Sequence, residues 1–71
     1  MEITKKSKVK DIEKIPGVTD IIKKHTGQEI SPSMFKMAAF MTIQAAAKQT
    51  GWSDEVVDKC IADLNAALAE Q

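Results

Sequence analysis

One glycine divides the most regular part of this chain. Before Gly51, the segment 42–50 (TIQAAAKQT) places Ile43, Ala46 and Ala47 on one face at helical spacing. After it, Val56, Val57, Cys60, Ile61, Leu64 and Leu68 continue at helical spacing through WSDEVVDKCIADLNAAL. Two helices joined by a tight turn follow from this. Gly51 supplies the backbone freedom at the junction, and positive φ is expected there. Thr42 stands where an N-cap is needed for the first helix and Ser53 where one is needed for the second. Asp54 and Glu55 fall at the positive end of the second helix dipole. Alanines on the inner face of the first helix let a neighbour approach closely. The remaining sequence must cover the apolar faces of this pair.

Three short helices precede it. Val9, Ile12 and Ile15 recur at i, i+3 and i+6, so a helix is expected over 8–15 with Ser7 as its cap; Pro16-Gly17 stops it. Val18, Ile21 and Ile22 mark a second helix beginning within 16–19. It ends at about His25, with Lys23, Lys24 and His25 at the negative end of its dipole and Gly27 as C-cap. Ser31-Pro32 then reads as N-cap and first helical position of a third helix, carrying MFKMAAFM at 34–41. No run alternates with period two for long enough to be a strand. The fold class expected is all-α: a compact orthogonal bundle of about five short helices, ending in a helix-turn-helix-like pair. It is read as a single small domain over 1–71, with 1–6 frayed and Ile3 as that segment's one anchor.

Composition narrows the function classes. The chain has 71 residues, 44% hydrophobic and 28% charged, an ordinary globular balance. Ten Lys are matched by ten Asp plus Glu, and Arg is absent. Residues 1–25 carry seven Lys against Glu2, Asp11, Glu13 and Asp20, net +3, whereas 53–71 carry five carboxylates against Lys59, net −4. A neutral chain without Arg lacks the basic footprint of a nucleic-acid binder. As recognition helix, the last segment would turn Asp54, Glu55, Asp58 and Asp63 toward phosphates. The lone Cys60 can form no internal disulfide, which fits a reducing, cytoplasmic setting. Neither a signal peptide nor a membrane span is read from the sequence.

No motif for catalysis emerges. Cys60 lies on an apolar stripe with nothing basic identifiable beside it, as a buried, inert thiol would. His25, the one imidazole, reads as an exposed cap at a helix end. Met34, Met37 and Met41 fit core packing better than ligation of haem or copper. Paired carboxylates, a nucleophile motif and a phosphate loop are absent from the sequence. No enzymatic activity, cofactor or metal is therefore expected.

Taken together, these segments resemble one family, the small helical domain of unknown function 1858. The features carrying the resemblance are ITK at 3–5, Val9-x-Asp11-Ile12, Pro16 between two short helices, a helix ending at Gly27, and Pro32 before a Met/Phe segment. MTIQAAAKQTG at 41–51 and LNAAL at 64–68 complete it. The resemblance spans about residues 3–68. It implies a bundle of short helices and no established activity. Many members of that family carry Cys-x-x-Cys after the glycine that ends the second helix, and some are fused to redox-associated domains. Here Gln28, Glu29, Ile30 and Ser31 stand there, so the metal or thiol chemistry of such relatives does not carry over.

The segment 34–41 draws the most specific functional expectation. At about 100° per residue, Met34, Met37, Ala38 and Met41 share one face, with Phe35 and Phe40 on its flanks and Lys36 the one polar residue. A chain this short has few elements with which to wrap such a helix. Met34, Phe35 and Met41 are therefore expected to form a contact patch for a protein partner or a weak homodimer; alternatively, Phe35 closes a small core. Met37, Phe40 and Trp52 are expected to line an apolar pocket, with Trp52 plugging the core between the last two helices. The leading functional expectation is a small helical binding or regulatory module without catalytic activity. A small-ligand or cofactor sensor using that pocket comes second, and a helix-turn-helix nucleic-acid binder well behind.

Overall fold

A computed structural model describes residues 2–70. Five helices follow one another: α1 Val9–Glu13, α2 Val18–Thr26, α3 Pro32–Met37, α4 Ile43–Thr50 and α5 Asp54–Ala69. Among the described residues there is no strand, only an isolated antiparallel pairing of Lys8 with Thr42. The fold is thus a compact all-α globule, with a radius of gyration of 10.8 Å, against about 11 Å for a well-packed chain of this length.

Local chemistry sets most of the boundaries. Ser31, Thr42 and Ser53 each accept a hydrogen bond through their hydroxyl oxygen, from the N–H of Met34 (3.3 Å), Ala45 (3.1 Å) and Val56 (3.3 Å). Each satisfies an amide that its own helix leaves unpaired. Gly27 and Gly51 close α2 and α4 in the left-handed conformation, at φ 75° and 84°. α1 starts differently from expectation. Its cap position is Lys8, whose N–H donates to Asp11 Oδ2 at 3.1 Å, while the Ser7 hydroxyl accepts from Thr4 N–H.

The first amides of α1 and α4 find acceptors in each other's lead-in segments. Val9 N–H donates to Met41 O (2.9 Å) and Lys10 N–H to Ala39 O (3.1 Å). Reciprocally, Ile43 N–H donates to Ser7 O (2.8 Å) and Gln44 N–H to Lys5 O (3.1 Å). This exchange explains why α3 stops at Met37 instead of running on to Met41. The carbonyls of Ala39 and Met41 turn toward α1, and residues 38–40 form a turn.

One core ties the elements together. Ile3, Val9, Ile12, Ile15, Val18, Ile22, Phe35 and Leu64 form a buried cluster, with Ile30, Ile43, Ala46, Trp52, Ile61 and Leu68 packed against it. α5 packs chiefly on α2, and α1 on α3. The α4–turn–α5 succession is present, but α5 packs chiefly on α2 and not on α4. Of the segment 1–6 expected to fray, Met1 lies outside the described residues, and Ile3 corrects the expectation for the rest. It is 1% exposed, its N–H donates to Asn65 Oδ1 (2.7 Å) and its carbonyl accepts from Asn65 Nδ2 (3.0 Å). One α5 side chain thus satisfies both backbone groups of Ile3, as a neighbouring strand would.

Candidate functional site: an apolar corner and its cleft

Three large apolar side chains stand out from the surface: Met34 (41% exposed), Met37 (86%) and Phe40 (77%). All lie on α3 or the turn after it. Phe35, between them, is buried in the core. The helix geometry forces this choice. Phe35 and Met37 are two positions apart, so they project about 200° from one another and cannot both face inward. Phe35 brings the larger apolar surface to the core, and Ala38, at i+3, lies beside it.

The expected assignments hold at Met34, which is exposed, and at Trp52, which lines a cleft; the others change. The contact patch of Met34, Phe35 and Met41 is corrected, because Phe35 is buried and Met41 is half-buried. Met41 also lies beyond the end of α3, so the helical phase computed for it does not apply. The pocket of Met37, Phe40 and Trp52 is corrected likewise, since Met37 and Phe40 point into solvent. Trp52 does line a cleft, together with Val9, Ile12, Ile43, Ala46 and Phe35, and with Met34 and Ala38 from α3. Its volume is about 100 Å³. Trp52 is half-buried, and its Nε1 is buried with no hydrogen-bond partner among the described residues.

The surroundings of this corner are cationic. The Lys10 ammonium sits 5.5 Å from the centroid of the Phe40 ring, within cation–π range. Lys36 lies on α3 itself. The stretch 30–53 contains no Asp or Glu at all.

Away from the corner, His25 Nε2–H donates to Asp63 Oδ2 at 2.5 Å, joining the end of α2 to α5, and Lys24 Nζ lies 3.6 Å from the same oxygen. His25 is thus tethered instead of being the exposed cap expected for it. The hydrogen bond from His25, aided by Lys24, holds the Asp63 carboxyl below its ordinary range. Cys60 is buried; burial first, then the Asp63 charge, pushes its thiol pKa up, away from the reactive thiolate. Among the described residues, no group of three or more His, Cys, Asp or Glu is placed to hold a metal ion, and no helix is long and apolar enough to cross a membrane.

An exposed apolar patch and an apolar pocket were expected from the sequence, and Met34 and Trp52 fall in them; the other residues were misassigned because both features depend on where α3 ends, and that is set by α1. The available signal was the absence of acidic residues over 30–53. No family model, curated protein or solved structure matches this chain.

Proposed function

We propose that this chain is a small cytoplasmic protein-binding module without catalytic activity of its own, and that it meets its partner through the corner of α3 and the turn at 38–40. One observation carries the reading. The exposed large apolar side chains, Met34, Met37 and Phe40, all fall within residues 34–40, beside an apolar cleft. Scattered exposed hydrophobes are ordinary; three within seven residues, one of which, Met34, lines the cleft, support a contact site. The raised thiol pKa of Cys60 and the engagement of His25 with Asp63 weigh against nucleophilic chemistry. The resemblance to domain of unknown function 1858 brings no activity to add.

A small-ligand sensor is less well supported. Ligand sites commonly enclose ~300 Å³ or more, and even a cavity that takes up benzene measures ~150 Å³; this cleft offers about 100 Å³. Nucleic-acid binding is disfavoured by α5, where Asp54, Glu55 and Asp58 are exposed and Lys59 is engaged by Glu55 at 3.3 Å.

The test is site-directed photo-crosslinking in cells, with the reactive group at position 40 or, separately, at exposed Ala62 on α5. A partner captured from position 40 that then binds the purified module, and does so less well after Met37→Gln with Phe40→Gln, supports the reading. A partner captured only from position 62, insensitive to those substitutions, overturns it.

A further inference from the structure

Resting on the reading of the α3 corner as the contact face, we infer that its partner is an acidic amphipathic helix. One aliphatic side chain of that helix enters the cleft beside Trp52, its apolar face covers Met37 and Phe40, and its carboxylates meet Lys10 and Lys36. The charge pattern carries the inference. Lys5, Lys23, Lys24 and Lys59 each have a carboxylate within ion-pair distance. The other six, Lys6, Lys8, Lys10, Lys14, Lys36 and Lys48, make no ion pair among the described residues; Lys10 and Lys36 are the two of them at the corner, where Lys10 faces the Phe40 ring and no carboxylate is carried over 30–53. Asp11, the nearest acidic residue in sequence to Lys10, accepts from Lys8 N–H, and Glu13 lies at the far end of α1. An apolar surface fringed by uncompensated ammonium groups complements apolar side chains fringed by carboxylates. The cleft is too small for a free ligand but has room for a single anchor, as in helix-in-groove recognition.

Two other occupants fit less well. A second copy meeting this one about a twofold axis would set Lys10 and Lys36 against the same residues of its mate, like charge against like. The acidic α5 of another copy has carboxylates, but Val57, Cys60 and Leu64 of its apolar stripe are already buried. An anionic bilayer would satisfy the lysines, but it calls for a long amphipathic helix lying in the interface. α3 has six residues, and the cleft is concave.

The experiment compares two labelled helical peptides lacking Trp. Both carry Leu at i, i+4 and i+7; one has Glu on the flanking positions and the other Lys. Binding is read by anisotropy and by the emission of Trp52, the one Trp of the chain. The Glu peptide should bind about tenfold more tightly than the Lys peptide, more so at low salt. Lys10→Glu with Lys36→Glu should reverse that preference, while Met37→Gln with Phe40→Gln should weaken both peptides alike. Both pairs alter exposed side chains, and a thermal melt confirms each variant folded. Equal binding of the two peptides, unmoved by charge reversal, would overturn the acidic partner while leaving the contact face intact. Failure of the Glu peptide to bind, or tighter binding to phosphatidylserine vesicles than to the Glu peptide, would also overturn it. Binding unaffected by Met37→Gln with Phe40→Gln would count against the contact face itself.

Discussion

Gly51 occupies φ 84°, and a Cβ built there meets nothing within 4 Å. Its requirement for glycine is therefore one of backbone, not of space. Gly51→Val is expected to destabilise the fold by about 1–3 kcal/mol, read as a lowered denaturant midpoint at unchanged slope. Phe35 and Met37 give a second contrast two residues apart. Phe35→Ser empties a core aromatic site and should cost ~3 kcal/mol or more. Met37→Gln should stay within ~0.5 kcal/mol of the parent, as surface substitutions do. A larger loss at Met37 than at Phe35 would show that the helix faces are exchanged. At this scale the chain was legible where the signal is local. Gly51 at positive φ, the hydroxyl caps at Ser31, Thr42 and Ser53, and the burial of Cys60 all follow from near neighbours. Phe35 was left between patch and core, and the structure places it in the core; a helix that is apolar on nearly every side leaves its inward direction to be chosen by what packs against it.

Among the elements, α5 is the tether. Through Asn65 it holds Ile3, and through Asp63 it holds the end of α2. Asn65→Leu would leave the half-buried amide and carbonyl of Ile3 without partners. A loss of about 1–3 kcal/mol is expected, with faster amide exchange at Ile3 than elsewhere in the core. Asp63 adds a pH signature. Its carboxyl is held below the ordinary value of 3.8, so the folded state binds that proton less readily than the unfolded chain. The stability it contributes is fully present above about pH 4 and is lost as the pH falls through the lower, folded-state pKa. Asp63→Asn should therefore lower stability near neutrality and flatten its decline on acidification below pH 4, as followed by urea denaturation across that range. Helix order and count could be read from periodicity, capping residues and glycines. The tethers could not, since Ile3 and Asn65 are 62 positions apart and His25 and Asp63 are 38 apart. The end of α3 was misplaced for the same reason: distant amides of α1, not a local stop signal, draw its carbonyls away.

Across the whole molecule, the basic beginning and acidic end of the chain meet. Lys5 Nζ lies 3.2 Å from Asp58 Oδ1 and 3.9 Å from Asp54 Oδ1. The charge asymmetry visible in the sequence is thus spent partly inside the fold, while Lys10 and Lys36 stay without an ion pair at the α3 corner. The exchange of hydrogen bonds between the starts of α1 and α4 has a kinetic consequence. It joins Lys8 and Thr42, 34 positions apart in sequence, and a five-residue α1 is too short to nucleate alone. Neither helix can be begun in isolation, so the chain should assemble in one concerted event with few stable part-formed states. Native-state hydrogen exchange offers the check: the amides of Val9, Lys10, Ile43 and Gln44, though in different helices, should open together with the same free energy as global unfolding. Removing residues 1–7 should then dismantle α4 along with α1, so that the far half of the chain melts with its beginning.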